Sequence, residues 1–300
     1  MTFLAVLLGS LVMKIAECRA TRGRGYEKLE YRAIICKKRI VVLTDFGVVD
    51  DGKTSSTKVF PYAIKNLSQY AYDSGALLVV THGKWLIEIF NLTSHFTIFL
   101  QNEVVILASQ DELEWASLHV LASYGRGRDA HERLNSLIFG TNLSQLLLVL
   151  VTMVHLMGMA LIGGTIFTWM NELKLNKAYL IELTSFNHIQ SSILTLINSP
   201  SWLVYPIYTN DIIIQGLIIF AAIYSPNTYG IYPYSCTIIR TRDCQTVSSS
   251  DCVAIKSGCR EYGTKFGMTS QHIIIRRLKY VYPDNVVNTF FGLNYYFMCL

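Results

Sequence analysis

Charge is scarce in this chain. Asp, Glu, Lys and Arg together make up 16% of its 300 residues, against about 25% in an average soluble protein. With 51% hydrophobic residues, that balance excludes a disordered chain, which needs low hydrophobicity and high charge, and a long coiled coil. There is no dense Lys/Arg run, and 26 basic residues face 21 acidic ones, so no nucleic-acid arm is expected. No CxxC pair and no His-rich partner accompanies the cysteines, which argues against a zinc site. The scarcity is most extreme from Leu134 to Asn171, which holds no Asp, Glu, Lys or Arg. Within it, residues 146–167 carry His155 as their one titratable group. By length and polarity they qualify as a transmembrane helix. The other reading is a segment deep inside a folded core.

Residues 1–20 read as a secretory signal peptide. Phe3 to Met13 is almost wholly apolar, and a small-residue patch from Ala16 to Ala20 follows, broken by Glu17 and Arg19. The first residues lack the usual Lys or Arg, and a buried N-terminal element is the alternative. Secretion implies an oxidising compartment and a cell-wall or extracellular location, with a membrane location as the alternative. It also gives meaning to three glycosylation triplets, at Asn66, Asn91 and Asn142. Of seven cysteines, Cys18 leaves with the leader and four of the rest fall between 236 and 259. Disulfides are expected among those four, with three possible pairings.

A flexible lead-in spans 21–39, and a main domain is expected over 40–285. Ile40 to Leu43 reads as a short strand and Ser56 to Tyr70 as a helix. Leu77 to Val80, Phe96 to Leu100 and Val104 to Leu107 are β-branched or aromatic runs bounded by turn residues, as strands are. The second half holds a loose repeat in which one apolar residue is followed by another five positions on. The pairs are Ile189/Leu194, Ile212/Leu217, Ile239/Cys244 and Ile273/Leu278. Strand-rich repeats of this kind suggest a solenoid with stacked turns, hence a parallel β-helix with continuous apolar columns. A β-sandwich is the alternative, though it does not require the offset of five to recur.

Gly47 to Thr54 fits the G-x-x-x-x-G-K-[ST] phosphate-loop pattern. The chemistry argues against a nucleotide. That loop works by aiming backbone N–H groups at phosphate oxygens, and Asp50 and Asp51 would set two carboxylates beside them.

The same segment carries a family resemblance. Thr44-Asp-Phe-Gly-Val-Val-Asp-Asp-Gly-Lys-Thr54 resembles the N-terminal motif of polygalacturonases, plant members of glycoside hydrolase family 28. So do Gly83-Lys-Trp85, the run Phe90 to Phe96, Ser109-Gln-Asp111 and Ser123 to Arg128. Tyr179-Leu-Ile-Glu182, Asn198-Ser-Pro-Ser-Trp202 and Ser225-Pro-Asn-Thr228 continue it. The likeness covers about 41 to 284 and is weak from 145 to 170. It implies an all-β fold, a right-handed parallel β-helix with a short N-terminal capping helix. It further implies an inverting hydrolase of homogalacturonan in pectin, needing neither cofactor nor metal. The family's three aspartates lie in an Asn-Thr-Asp-Gly motif and, one turn later, a Gly-Asp-Asp motif. The first of the adjacent pair protonates the leaving oxygen, and the other two activate water, because inversion needs an acid and a base on opposite sides of the bond.

This chain departs from that pattern. Asn227-Thr228-Tyr229-Gly230 sets Tyr229 at one aspartate position, and Ser249-Ser250-Asp251-Cys252 sets Ser250 at the acid, so only Asp251 is retained. A serine is no general acid near neutral pH, and a tyrosine with a pKa of about 10 is a poor base. Asn227 and Lys256 remain as candidate substrate contacts, with Lys256, Arg260, Lys265, Arg276 and Arg277 as cations suited to galacturonate carboxylates. The family's later Arg-x-Lys clamp has no counterpart, so the domain reads as C-terminally truncated. Residues 286–300 form a divergent apolar tail, from which a monomer or an aggregation-prone protein is expected. The functional expectation is a pectin-directed, polygalacturonase-like hydrolase of impaired activity. A non-catalytic pectin-binding wall protein and a protein anchored through 146–167 are the alternatives.

Overall fold

Runs such as Ile212-Ile-Ile214 and Leu77-Leu-Val-Val80 favour extended backbone, because branched side chains pack well on a pleated surface. The computed structural model describes residues 39–70, 75–109, 115, 117–119, 121–124, 133–150, 155–157, 178–192, 194–199, 201–221, 228–248 and 251–281. Successive strands fall in turn on three parallel sheets. The first sheet runs from Arg39–Val42 through Ala76–Val80, Phe96–Leu100, Ser144–Leu150, Asn187–Ser192, Asn210–Gln215 and Thr237–Arg242 to Gln271–Arg276. The second runs from Asp51–Ser55 to Lys279–Val281, also in eight strands. The third is shorter, from Phe90–Asn91 through Ile138–Thr141 and Ile181–Thr184 to Val204–Ile207. Single bridges extend it through Ile231 and Tyr234 to Val253 and Lys256. This is a parallel β-helix.

Its turns are stacked in register, so like residues meet. Ile189, Ile212, Ile239 and Ile273 are successive strand partners. Leu194, Leu217, Cys244 and Leu278 each precede the next aligned set, Thr195, Ile218, Gln245 and Lys279. The first three members of both columns are buried in one continuous core, and Ile273 and Leu278 pack against it. The expected columns are therefore present at every repeat. The corners stack as well. Asn142, Ser185, Tyr208 and Ser235 all have positive φ, and the N–H of each bonds to a carbonyl of the following turn, those of Thr184, Ile207, Tyr234 and Lys256. Left-handed backbone costs a non-glycine residue energy, which this ladder of hydrogen bonds offsets.

One helix, α1 (Val59–Ser68), sits near the N-terminal end. Phe60, Ala63, Ile64 and Leu67 recur at helical spacing and are buried. The helix packs on the strands Ala76–Val80 and Phe90–Asn91, with Phe60 5.4 Å from Phe90. A second helix, α2 (Arg260–Phe266), is inserted ahead of the last described strand of the first sheet.

Several expectations change. Ser144–Leu150 and His155–Met157 are strands, paired on both sides with solenoid neighbours. Backbone committed to those ladders cannot form one helix over 146–167, and no helix among the described residues is long and apolar enough to cross a membrane. The charge-free interval belongs to the solenoid where it is described. Cys236, Cys244 and Cys252 are free thiols, so the four clustered cysteines form no disulfide with one another. Cys236 and Cys244 serve as core side chains, and burial pushes both thiols up to about 11. Gly47 to Thr54 is no phosphate cradle. Asp51–Ser55 is a strand, and the Asp51 carboxylate itself accepts the N–H groups of Lys53 and Thr54 at 2.8 and 2.7 Å. The leader at 1–20, the lead-in through residue 38 and the tail at 286–300 lie outside the described residues.

The columns generate a stability prediction. Ile212→Ala is expected to cost about 2–5 kcal/mol, the range for emptying a packed core position. Ile218→Ala, at an exposed position on the second sheet, should cost less than about 1 kcal/mol. Equilibrium denaturant unfolding of the two variants checks the contrast.

Candidate active site on the third sheet

The third sheet turns one row of side chains inward and the next outward. Ile181, Val204 and Ile231 belong to the main core, whereas Tyr205, Tyr232 and Tyr234 belong to a separate buried cluster on the other face. The register defines the outer columns. Ile181 pairs with Val204, Val204 with Ile231, and Ile231 with Val253. Two residues before each of these lie Tyr179, Trp202, Tyr229 and Asp251. The N–H of Leu203 accordingly bonds to the Tyr229 carbonyl at 3.0 Å, and that of Gly230 to the Asp251 carbonyl at 3.1 Å. Tyr229 and Asp251 are thus neighbours on consecutive turns. Gly230 permits this close seating, because a Cβ there would lie 2.6 Å from the Cys252 carbonyl oxygen.

Tyr229 does not stand alone. Trp202 is stacked between Tyr179, at 4.7 Å and 3°, and Tyr232, at 4.1 Å and 18°. Tyr205 meets Trp202 edge-on at 4.6 Å. Tyr229 stacks on Tyr232 at 5.3 Å and 24°. Each such pair adds about 0.5–1.5 kcal/mol beyond area burial, so the ring at 229 is held by a packed ladder. Burial raises the Tyr229 hydroxyl above its ordinary value, and the Asp251 charge adds to the effect. Tyr229 is therefore a neutral phenol, a hydrogen-bond donor and not a base. Asp251 is solvent-exposed, yet the protein around it desolvates the carboxyl enough to raise its pKa.

Lys256 completes this face. Through Tyr234 and Ile207 it aligns with Thr184, and its ammonium lies 5.1 Å from the Tyr124 ring centre. The segment holding Tyr124 is pinned to the sheet. The Ser123 N–H donates to the Tyr208 hydroxyl at 3.1 Å, the two hydroxyls are also hydrogen-bonded, and the Cys259 N–H donates to the Ser123 carbonyl at 3.0 Å. The structure brings together two of the residues singled out in the sequence, Tyr229 and Asp251, and sets Lys256 farther along the same sheet, against Tyr124. Ser250 and Asn227 lie outside the described residues. The three glycosylation asparagines, Asn66, Asn91 and Asn142, are all exposed. Among the described residues no three His, Cys, Asp or Glu side chains converge as a metal centre requires.

Two features of the site were missed in the sequence. One is the aromatic ladder, and the other is Glu182. Glu182 is fully buried and accepts from the Ser136 hydroxyl at 3.3 Å and the Thr184 hydroxyl at 3.2 Å. The signal for the ladder was present, since Tyr179, Trp202 and Tyr229 follow the repeat steps of 23 and 27 residues seen in the apolar columns.

Residues 146–270 match the family model for Glycosyl hydrolases family 28. A Vitis vinifera protein described as "Probable polygalacturonase" is 47% identical over 92% of this chain and 56% of its own length. The chain thus spans about half the length of that curated relative. Among solved structures, a hyperthermoactive exopolygalacturonase from Thermotoga maritima superposes with a TM-score of 0.67 at 20% identity, covering 91% of this chain and 64% of that one. A polygalacturonase from Erwinia carotovora gives 0.64 at 15% identity, covering 87% and 66%. At those identities the likeness speaks for the fold, which in these neighbours is a right-handed parallel β-helix. Sequence match and architecture agree with the resemblance carried by the motifs: residues 146–270 are a glycosyl hydrolases family 28 domain, and the chain is similar to a probable polygalacturonase over most of its length.

Proposed function

We propose that this chain engages homogalacturonan, the acidic polymer of pectin, along the outer face of its third sheet, and hydrolyses it poorly. The observation that carries this reading is the column in which Tyr229 neighbours Asp251. Inverting hydrolysis needs a protonated acid on one side of the glycosidic bond and a carboxylate activating water on the other. At position 229 the column offers a neutral phenol locked in an aromatic stack. With Ser250 at the acid position, Asp251 has neither partner. Burial raises the pKa of Asp251, but a single carboxyl cannot serve both sides of the bond. The plant relative supports a secreted protein acting in the cell wall.

A second reading is a pectin-binding wall protein without catalysis. Lys256, on the same face as Asp251 and held against Tyr124, favours it, because an ammonium can pair with a galacturonate carboxylate whether or not the bond is cleaved.

Two experiments test this account. Reducing-end release from polygalacturonate by the purified chain should sit near background. Restoring both carboxylates as Tyr229→Asp with Ser250→Asp should raise it by roughly 10²- to 10⁴-fold, the usual contribution of acid–base groups. Turnover by the parent chain at the rate of the restored variant contradicts the proposal. Asp251, followed by NMR, should titrate with a midpoint above 3.8. A carboxyl whose folded pKa is raised contributes stability that is fully present below its unfolded pKa and is lost as pH rises through the folded value. Asp251→Asn should therefore remove a small decline of stability with rising pH just above 3.8. An unchanged pH–stability curve would count against the raised value.

A further inference from the structure

Away from the column of Tyr229 and Asp251, the outward face of the first sheet carries a cluster of arginines that hydrolysis does not use. On Thr237–Arg242, Ile239 and Thr241 point into the core, so Arg240 and Arg242 point out. The in-register partner of Arg242 on the next turn is Arg276, and that of Arg240 is Ile274. Arg277 follows at once. Arg240, Arg242, Arg276 and Arg277 line a shallow cleft with Ile213 and Ile274 beneath them.

The cluster is incompletely neutralised. Arg240 bonds to the Asp211 carboxylate at 2.6 Å and Arg277 to Asp243 at 2.7 Å. Arg242 donates twice to Gln215 Oε1, at 2.9 and 2.6 Å, a neutral acceptor. Arg276 is exposed and has no carboxylate partner among the described residues. Arg242 and Arg276 therefore stand directly opposite one another, on strands about 4.8 Å apart, and the one carboxylate near Arg242, Asp243, is already bonded to Arg277. Like charges opposite each other in a ladder destabilise it. A local rule that is only partly compensated is the kind of feature a functional surface tolerates. Two guanidinium forks side by side match carboxylates spaced along a sugar chain, whose ring C–H faces can rest on the exposed Ile274.

We propose that this cleft is a second carbohydrate site, which binds the carboxylates of an acidic polysaccharide and holds the polymer on the solenoid independently of the third-sheet column. For its ligand, a polygalacturonate, the proposal rests on the pectic reading above. Each guanidinium contributes a salt-sensitive contact, and removing two of them should weaken binding about tenfold.

The test is calorimetric titration of the full chain with polygalacturonate and, separately, with its fully methyl-esterified form. Arg242→Gln with Arg276→Gln should bind polygalacturonate about tenfold more weakly than the parent, with a shallower salt dependence. Arg242→Lys with Arg276→Lys should recover part of the loss, and the esterified polymer should not distinguish these proteins. The arginine-dependent loss should also appear in an Asp251→Asn background, which separates this cleft from the third-sheet column. If the Gln pair does not fold, as judged by thermal melting, Arg276→Gln alone against the Lys pair reads the same difference. Polygalacturonate binding that is unchanged by the loss of both arginines overturns the cleft and leaves the pectic reading standing. Arginine-dependent binding of dextran sulfate with no binding of polygalacturonate overturns the pectic reading, and with it the ligand assigned here.

Discussion

In-register stacking of parallel strands is the constraint on which the rest of this molecule depends. Once Ile189, Ile212 and Ile239 pair as equivalents, every other residue of those turns is fixed against its counterpart. A slip by one position would turn the whole inward set of Ile and Leu side chains outward. The same register that buries the apolar columns also builds the outer ones. It sets Tyr229 beside Asp251 and lines up Thr184, Ile207, Tyr234 and Lys256. It also opposes Arg242 to Arg276. Core and surface are consequences of one alignment.

That alignment explains what could be read from the sequence. The recurring offset of five, as in Ile212/Leu217, was visible because it marks the two inward positions on either side of one bend, repeated at each turn. The strand at Phe96–Leu100 was visible because it is a compact apolar run between turn residues. The location of the site came from motif resemblance, and Tyr229 and Asp251 do meet. Other features were hidden because they are assembled across turns. Tyr179, Trp202 and Tyr232 are far apart in the chain and become a stack only when the turns are superposed. Glu182 looked like an ordinary polar residue until the sheet closed over it. The cysteines misled for a related reason. Close spacing in a secreted chain suggests disulfides, whereas in a solenoid it places Cys244 in a leucine column. The charge-free interval admitted two readings, with a buried solenoid segment favoured over a span, because strands buried in a solenoid and a membrane helix make the same demand on hydropathy. Where that interval is described, the paired strands at Ser144–Leu150 and His155–Met157 decide between them.

The columns, the corners with positive φ and the close approach at Gly230 are those of a working solenoid. The outer third-sheet face carries aromatic packing around Trp202 and Tyr229. The Tyr229 ring strengthens the fold locally through stacking with Tyr232. On the reading we propose, this face still suits an acidic sugar polymer, while Tyr229 and Ser250 stand where the opposed base and acid would be needed.

The most direct measurement of the central claim is backbone amide hydrogen exchange at Gly230 and Ile231. These two amides donate to the Asp251 and Cys252 carbonyls of the next turn and so report the register that seats Tyr229 beside Asp251. The account predicts protection comparable to that of Ile212 in the core ladder. Fast exchange at Gly230 and Ile231 alongside a protected Ile212 would contradict it, because the site would then be absent from an otherwise intact solenoid.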